Sequence, residues 1–131
     1  MMEVPAAYRY TPTHMWVRHE EGHAVVGLTE SASAERGLAI FVELPVPGET
    51  LAAGSYVGYI ETAEREYELR TPLSGRVSSI NTALERGEAF WLHERPYTQG
   101  WLFTLELTSP EELEALWSAE RYEAYTGASG K

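Results

Sequence analysis

The chain contains no cysteine and no aspartate; all 20 of its acidic residues are glutamate. Without thiols it can build neither a disulfide framework nor a thiolate metal site. Without Asp or Cys, a Ser-His-Asp triad and a Cys nucleophile are both excluded. No phosphate loop or Cys/His metal pattern stands in their place. The sequence therefore does not read as an enzyme, and no metal site is assigned. Lysine is nearly missing as well. Lys131, the last residue, is the only one, and every other strongly basic side chain from Arg9 to Arg121 is arginine. No apolar run approaches membrane-spanning length, and the N-terminus lacks a charged-then-apolar signal pattern. A cytoplasmic protein away from membranes is the expectation.

The 131 residues suit a single domain over 1–131, with its core at about 8–125 and a frayed tail at 126–131. A formal net charge of −10 sets the surface against nucleic-acid phosphates and favours a basic or mixed-charge protein partner. Short strand-like runs dominate the chain. Met15–Arg18 and Ala24–Leu28 flank Glu20-Glu21-Gly22, a hairpin with glycine in its turn. Residues 29–36 read as a short helix between a Thr29 cap and a Gly37 stop. Leu38–Leu44 is a richly apolar strand. Gly48–Leu51, Gly54–Ile60, Arg76–Ile80 and Trp101–Leu107 add further strands, with a loop at Asn81–Gly87 and an irregular segment at Glu88–Pro96. Ser109-Pro110-Glu111-Glu112 has the form of a capping box with proline at the first helical position. It predicts a well-defined C-terminal helix with Leu113, Leu116 and Trp117 on one face.

The most informative stretch is Glu61-Thr62-Ala63-Glu64-Arg65-Glu66-Tyr67-Glu68. It lies between Tyr56–Ile60 and Leu69–Leu73 and predicts the exposed tip of a hairpin, open to a partner. Strand alternation would put Glu64, Glu66 and Glu68 on one face and Glu61 on the other. His19 and His23 flank the first turn and could face each other across it. His14, near Trp16, reads as a packing or hydrogen-bonding residue. Trp91, Trp101 and Trp117 read as core or near-core aromatics.

The run Glu61-Thr62-Ala63-Glu64 through Leu69, followed by Thr71-Pro72-Leu73-Ser74-Gly75-Arg76-Val77, resembles the lipoyl hairpin of the glycine cleavage system H protein family. Further blocks resemble the same family in order: His14-Met15-Trp16-Val17, Gly27-Leu28-Thr29, Ile40-Phe41-Val42-Glu43-Leu44-Pro45 with Gly48, Pro96-Tyr97 with Gly100-Trp101-Leu102, and Ser109-Pro110-Glu111-Glu112-Leu113. The resemblance implies a mainly β fold, a lipoyl-domain-like flattened barrel or sandwich hybrid, with a short helix near 30–36 and a C-terminal helix. It places the family's lipoyl-attachment lysine at Glu64 and the old lipoyl cleft at Thr13, His14 and Met15. A cleft acid of the family falls at Met15, while Glu68 still supplies an acid.

Lipoate is joined through an amide to a primary amine, which a carboxylate cannot replace. The first expectation is therefore an H-protein-like domain that cannot be lipoylated at the usual site and takes no cofactor. It would act as a non-catalytic protein-binding or regulatory module, with other glycine cleavage components among its expected partners. Its recognition tip would hold Glu61, Arg65, Glu66 and Glu68. The alternatives are a working aminomethyl carrier of glycine cleavage, and small-ligand or metal binding at the old cleft near Met15.

Overall fold

The computed structural model describes residues 2–127. Its first hairpin is fixed by register. β2 (Met15–Glu20) and β3 (His23–Leu28) pair from Met15↔Leu28 to Glu20↔His23, which leaves only Glu21 and Gly22 to turn the chain. Both turn residues have positive φ, 43° and 84°. That backbone matches the right-handed twist of the flanking strands, so a two-residue turn is enough.

Around this hairpin a six-stranded antiparallel sheet assembles in the order β1-β2-β3-β9-β8-β5. Its other members are β1 (Arg9–Tyr10), β5 (Thr50–Leu51), β8 (Gly75–Ile80) and β9 (Phe103–Leu107). A three-stranded sheet, β4-β6-β7, packs on it, built from β4 (Ala39–Glu43), β6 (Tyr56–Thr62) and β7 (Glu66–Arg70). The main core lies between them and includes Val26, Val42, Ile60, Leu69, Val77 and Leu105. Burying an aliphatic side chain of this kind contributes about 1.5–3 kcal/mol. A second, aromatic cluster gathers Tyr10, Trp16, Tyr97 and Tyr122. There the rings of Tyr10 and Tyr122 stack at 4.9 Å, and the Trp16 indole N–H donates to the Pro96 carbonyl at 3.0 Å. The architecture is the mainly β sandwich that the sequence implied, with α1 (Glu30–Arg36) as its short helix.

Several expectations need correction. The apolar strand expected at Leu38–Leu44 forms over Ala39–Glu43, and much of its apolar surface is open. Its register with β6 shifts between Ala39 and Phe41, and Leu38, Ile40 and Phe41 are exposed while Val42 is fully buried. Residues 81–87 contain a short helix, α2 (Thr82–Glu85), and the segment 88–96 contains another, α3 (Trp91–Glu94). The capping box does not form. Residues Pro110–Ala115 make a 3-10 helix, and the Ser109 side chain caps nothing. The Glu112 carboxylate is drawn away: it accepts from the Ser74 N–H at 2.7 Å and from its hydroxyl at 2.8 Å. Leu116 is then extended, and Trp117 bridges to Tyr10. The true C-terminal helix is α4 (Ala119–Thr126), whose cap Ser118 accepts from the Arg121 N–H. Thr126 is thus the last helical residue, not the start of a frayed tail, and Gly127 closes the helix in the left-handed conformation; positions 128–131 of that expected tail lie outside the described residues. Trp91, Trp101 and Trp117 are half-buried, while Trp16 is the fully buried tryptophan. Among the described residues no helix is long and apolar enough to cross a membrane.

Gly58, in β6, sits where a Cβ would lie 2.1 Å from the Glu43 carbonyl oxygen of β4. No rotamer change relieves a clash with backbone, so Gly58→Ala should lower stability by about 1–3 kcal/mol. A denaturant titration should show this as a lower midpoint with an unchanged slope.

Candidate functional site

β6 and β7 form a hairpin that runs closer to its tip than the sequence implied. Glu61 pairs with Glu66, so both remain in the ladder, and the protruding segment is only Ala63-Glu64-Arg65. Thr62 holds this turn. Its N–H donates to the Arg65 carbonyl at 2.9 Å, and its buried hydroxyl donates to the same carbonyl at 3.2 Å while accepting the N–H groups of Glu64 and Arg65 at 3.4 Å. The Glu64 side chain is free to face solvent because this turn is closed from inside.

The four glutamates are arranged differently from the sequence expectation. Glu61↔Glu66 and Tyr59↔Glu68 are successive outward pairs, so Glu61, Glu66 and Glu68 share one face. Glu64 stands apart on the turn. The parity rule fails because the turn interrupts the alternation that it assumes. Arg65 lies with its guanidinium carbon 5.8 Å from the Tyr67 ring centre, and Arg36 lies 5.0 Å from the same ring, within cation–π range.

Beside the hairpin is a cleft of about 200 Å³, lined by Thr13, Met15, Leu28, Arg36, Glu68, Leu69 and Arg70. Its charges are largely committed. Glu68 accepts from Arg70 at 3.0 and 3.2 Å, and Arg36 donates to the Thr13 carbonyl at 3.2 Å. Two guanidinium groups against one carboxylate disfavour an ammonium guest. Arg36 and Tyr67 carry no local signal of this role, because the contact joins a helix end to a distant strand.

His14 is grouped with Thr13 and Met15 in sequence but not in space: it does not line the cleft. Its φ of 68° turns the chain there. Its buried ring lies with Nδ1 2.6 Å from the Tyr122 hydroxyl and Nε2 3.1 Å from Glu35. The Tyr122 hydroxyl also lies 2.6 Å from the Thr29 hydroxyl. Burial pushes the His14 pKa below the ordinary histidine value, and the Glu35 carboxylate opposes that shift. His14 is therefore a buried hydrogen-bonding clamp. His19 and His23 do not face each other; they pair with Ala24 and Glu20, and His23 reaches Glu106 at 4.0 Å. Among the described residues no three His, Cys, Asp or Glu side chains converge as metal ligands would.

Two antiparallel sheets presenting a hairpin of this kind define a lipoyl-domain-type sandwich. Residues 8–128 match the family model described as glycine cleavage H-protein. The glycine cleavage system H protein of Nitratidesulfovibrio vulgaris is 42% identical over 123 residues, covering 94% of each chain. That of Alcanivorax borkumensis is 39% identical over 124 residues, covering 95% of this chain and 96% of the relative. The crystal structure of a glycine cleavage system H protein from Mycobacterium marinum superposes with a TM-score of 0.85 at 31% identity, over 95% of this chain and 99% of that one. The chain belongs to the glycine cleavage H-protein family.

That family consists of non-catalytic carriers, in agreement with the absence of an enzyme signature. It also corrects the expectation of a protein without a cofactor. The family is lipoate-bearing, and the full-length relatives are ordinary H proteins, so lipoate is the cofactor that membership implies. The hairpin turn itself does not fit a covalent lipoyl group. Ala63, Glu64 and Arg65 offer a methyl, a carboxylate and a guanidinium, none of which is a primary amine.

The clamp has a pH signature. The His14 pKa is lower in the folded chain than in the unfolded one, so the unfolded chain takes up the proton first as pH falls. This contribution to stability is complete above the ordinary histidine value of about 6.5 and is lost as pH falls from there to the folded-state value. His14→Asn, which also tolerates positive φ, should abolish that component. Urea denaturation from pH 7.5 down to 5 on both proteins should show the difference between their stabilities shrinking with acid.

Proposed function

We propose that the chain serves the glycine cleavage system as a protein-binding module of H-protein type, a single unit working in the cytoplasm. It docks on the system's other protein components through the β6–β7 hairpin and the cleft beside it. One contrast carries this reading: the framework matches its family over residues 8–128, while the turn at 63–65 offers no amine. In this reading residue 64 occupies the attachment position, and Glu64 cannot form the amide there. The hairpin acts by contact, with Glu61, Arg65, Glu66 and Glu68 as recognition residues and Thr13 and Met15 in the cleft wall. His14 supports that wall from behind. The net charge of −10 would steer basic partner surfaces toward the module.

The second reading is a working aminomethyl carrier, and full-length similarity to named H proteins favours it. The two separate at residue 64. After co-expression with a lipoate ligase, peptide mass mapping should find the wild-type hairpin unmodified and the Glu64→Lys hairpin carrying the lipoyl mass. A dithiolane chain on the wild-type hairpin, or glycine turnover restored by the wild-type chain in a system lacking its own H protein, would overturn the docking reading.

A further inference from the structure

The outer face of the β4-β6-β7 sheet is written in its register. Phe41 pairs with Glu61 and Glu61 with Glu66; Glu43 pairs with Tyr59 and Tyr59 with Glu68. The intervening row Val42–Ile60 is buried on the core side. Two outward rows therefore place Glu43, Glu61, Glu66 and Glu68 around two aromatic rings. Phe41 and Tyr59 touch with centroids 5.9 Å apart. Glu61 and Glu66 stand directly opposite each other, and like charges in such a pair destabilise a sheet. Of these four carboxylates, Glu68 has an arginine partner.

Toward the hairpin turn the same sheet borders a groove of about 520 Å³, whose apolar lining is Leu38, Ile40 and Ala63 and whose charged lining is Glu35, Glu64 and Arg36. Leu38 is 57% exposed and Ile40 62%. Aliphatic side chains left this open beside a ringed patch indicate contact with another molecule more than internal packing. Arg36 is turned toward the Tyr67 ring and donates to the Thr13 carbonyl, and Arg65 also lies against that ring, so two carboxylates face one arginine in the groove.

We propose that this face and its groove form a docking surface for a basic amphipathic segment of a partner protein. Aliphatic side chains of the segment enter the groove over Leu38 and Ile40. Its arginines or lysines relieve the opposed Glu61 and Glu66 and lie against Phe41 and Tyr59. A second copy of this chain is a poor occupant, since it would bring its own acidic face and a net charge of −10. The inference deepens the docking reading by giving the partner its chemistry, but it rests only on the chain acting by contact.

The test uses the folded chain titrated with a short amphipathic peptide of leucine and arginine, followed by amide NMR. Shifts should concentrate at 38–43, 59–61 and 66–68. Ile40→Ser should weaken binding by roughly threefold or more, and the double variant Glu61→Gln/Glu66→Gln by about tenfold at low salt. The variant Glu111→Gln/Glu114→Gln removes the same charge from exposed positions elsewhere and should change affinity by less than about twofold. Thermal melts confirm folding, and relief of the opposed pair predicts that Glu61→Gln/Glu66→Gln melts no lower than wild type. Shifts spread over both sheets, an equal loss in the control pair, no effect of Ile40→Ser, or dimerisation through this face would each overturn the proposal. Specific peptide binding without capture of any glycine cleavage component would count against the preceding functional reading alone.

Discussion

The hydroxyl of Tyr122 joins three parts of the chain that are far apart in sequence. It lies 2.6 Å from both His14 Nδ1 and the Thr29 hydroxyl. Its ring stacks on Tyr10, which also exchanges backbone hydrogen bonds with Trp117. One oxygen thus ties α4 to the start of β2 and to the head of α1. His14, Thr29 and Tyr122 are all buried, so without the shared hydroxyl the other two would carry unpaired polar atoms, at about 1–3 kcal/mol apiece. The unusual φ of His14 is held by this arrangement. It sets the path of Thr13 and Met15 on either side, and these two form a wall of the cleft. The C-terminal helix therefore supports the site without touching it.

The hairpin obtains its precision in another way. β6 is bonded on both sides, by β4 and β7, and Ile60 and Leu69 anchor it in the core. Only three residues leave the ladder, and Thr62 locks them. A short rigid turn keeps whatever it presents within a small volume. Such a turn also tolerates substitution at its apex. The Glu64 side chain has no structural task, so the scaffold bears a carboxylate there without strain. That explains how family membership and a non-amine at the tip coexist in one fold.

Elements built from local rules were legible in the sequence. The first hairpin announced itself through Glu21-Gly22, α1 through Thr29 and Gly37, and β9 through its alternation. What escaped depended on partners distant in the chain. The capping box was broken by Ser74, thirty-eight positions away from Glu112. Thr29 was expected to cap α1, but its hydroxyl hydrogen-bonds with that of Tyr122 and its side chain makes no cap bond. The exposed side of β4 was hidden because a β-bulge breaks the period that a reader follows. The hairpin tip was legible as a location, since the charged stretch between apolar runs did become one. Its facing was not, because a turn resets strand parity and only the register reveals which glutamates meet. His14 shows the same limit: the family resemblance placed it in the cleft, whereas its buried ring turns to Tyr122 and Glu35.

The cleft and the sheet face differ in charge, and they meet at Glu68, which belongs to the outward rows and also lines the cleft. In the cleft, Arg36 and Arg70 outnumber Glu68, and Met15 contributes only a polarisable apolar surface. An ammonium-bearing guest would meet uncompensated positive charge there. On the outer face of β4-β6-β7 the balance is reversed, with carboxylates meeting across strands and aromatic rings between them. A protein acting by swinging a charged arm into the cleft would gain little from an acidic sheet face. A protein acting by surface contact gains from it directly, because attraction falls off over about 8–10 Å in physiological salt and must be concentrated where the partner lands. The placement of charge is therefore uneven: arginine prevails in the cleft, and carboxylates prevail on the sheet face beside it.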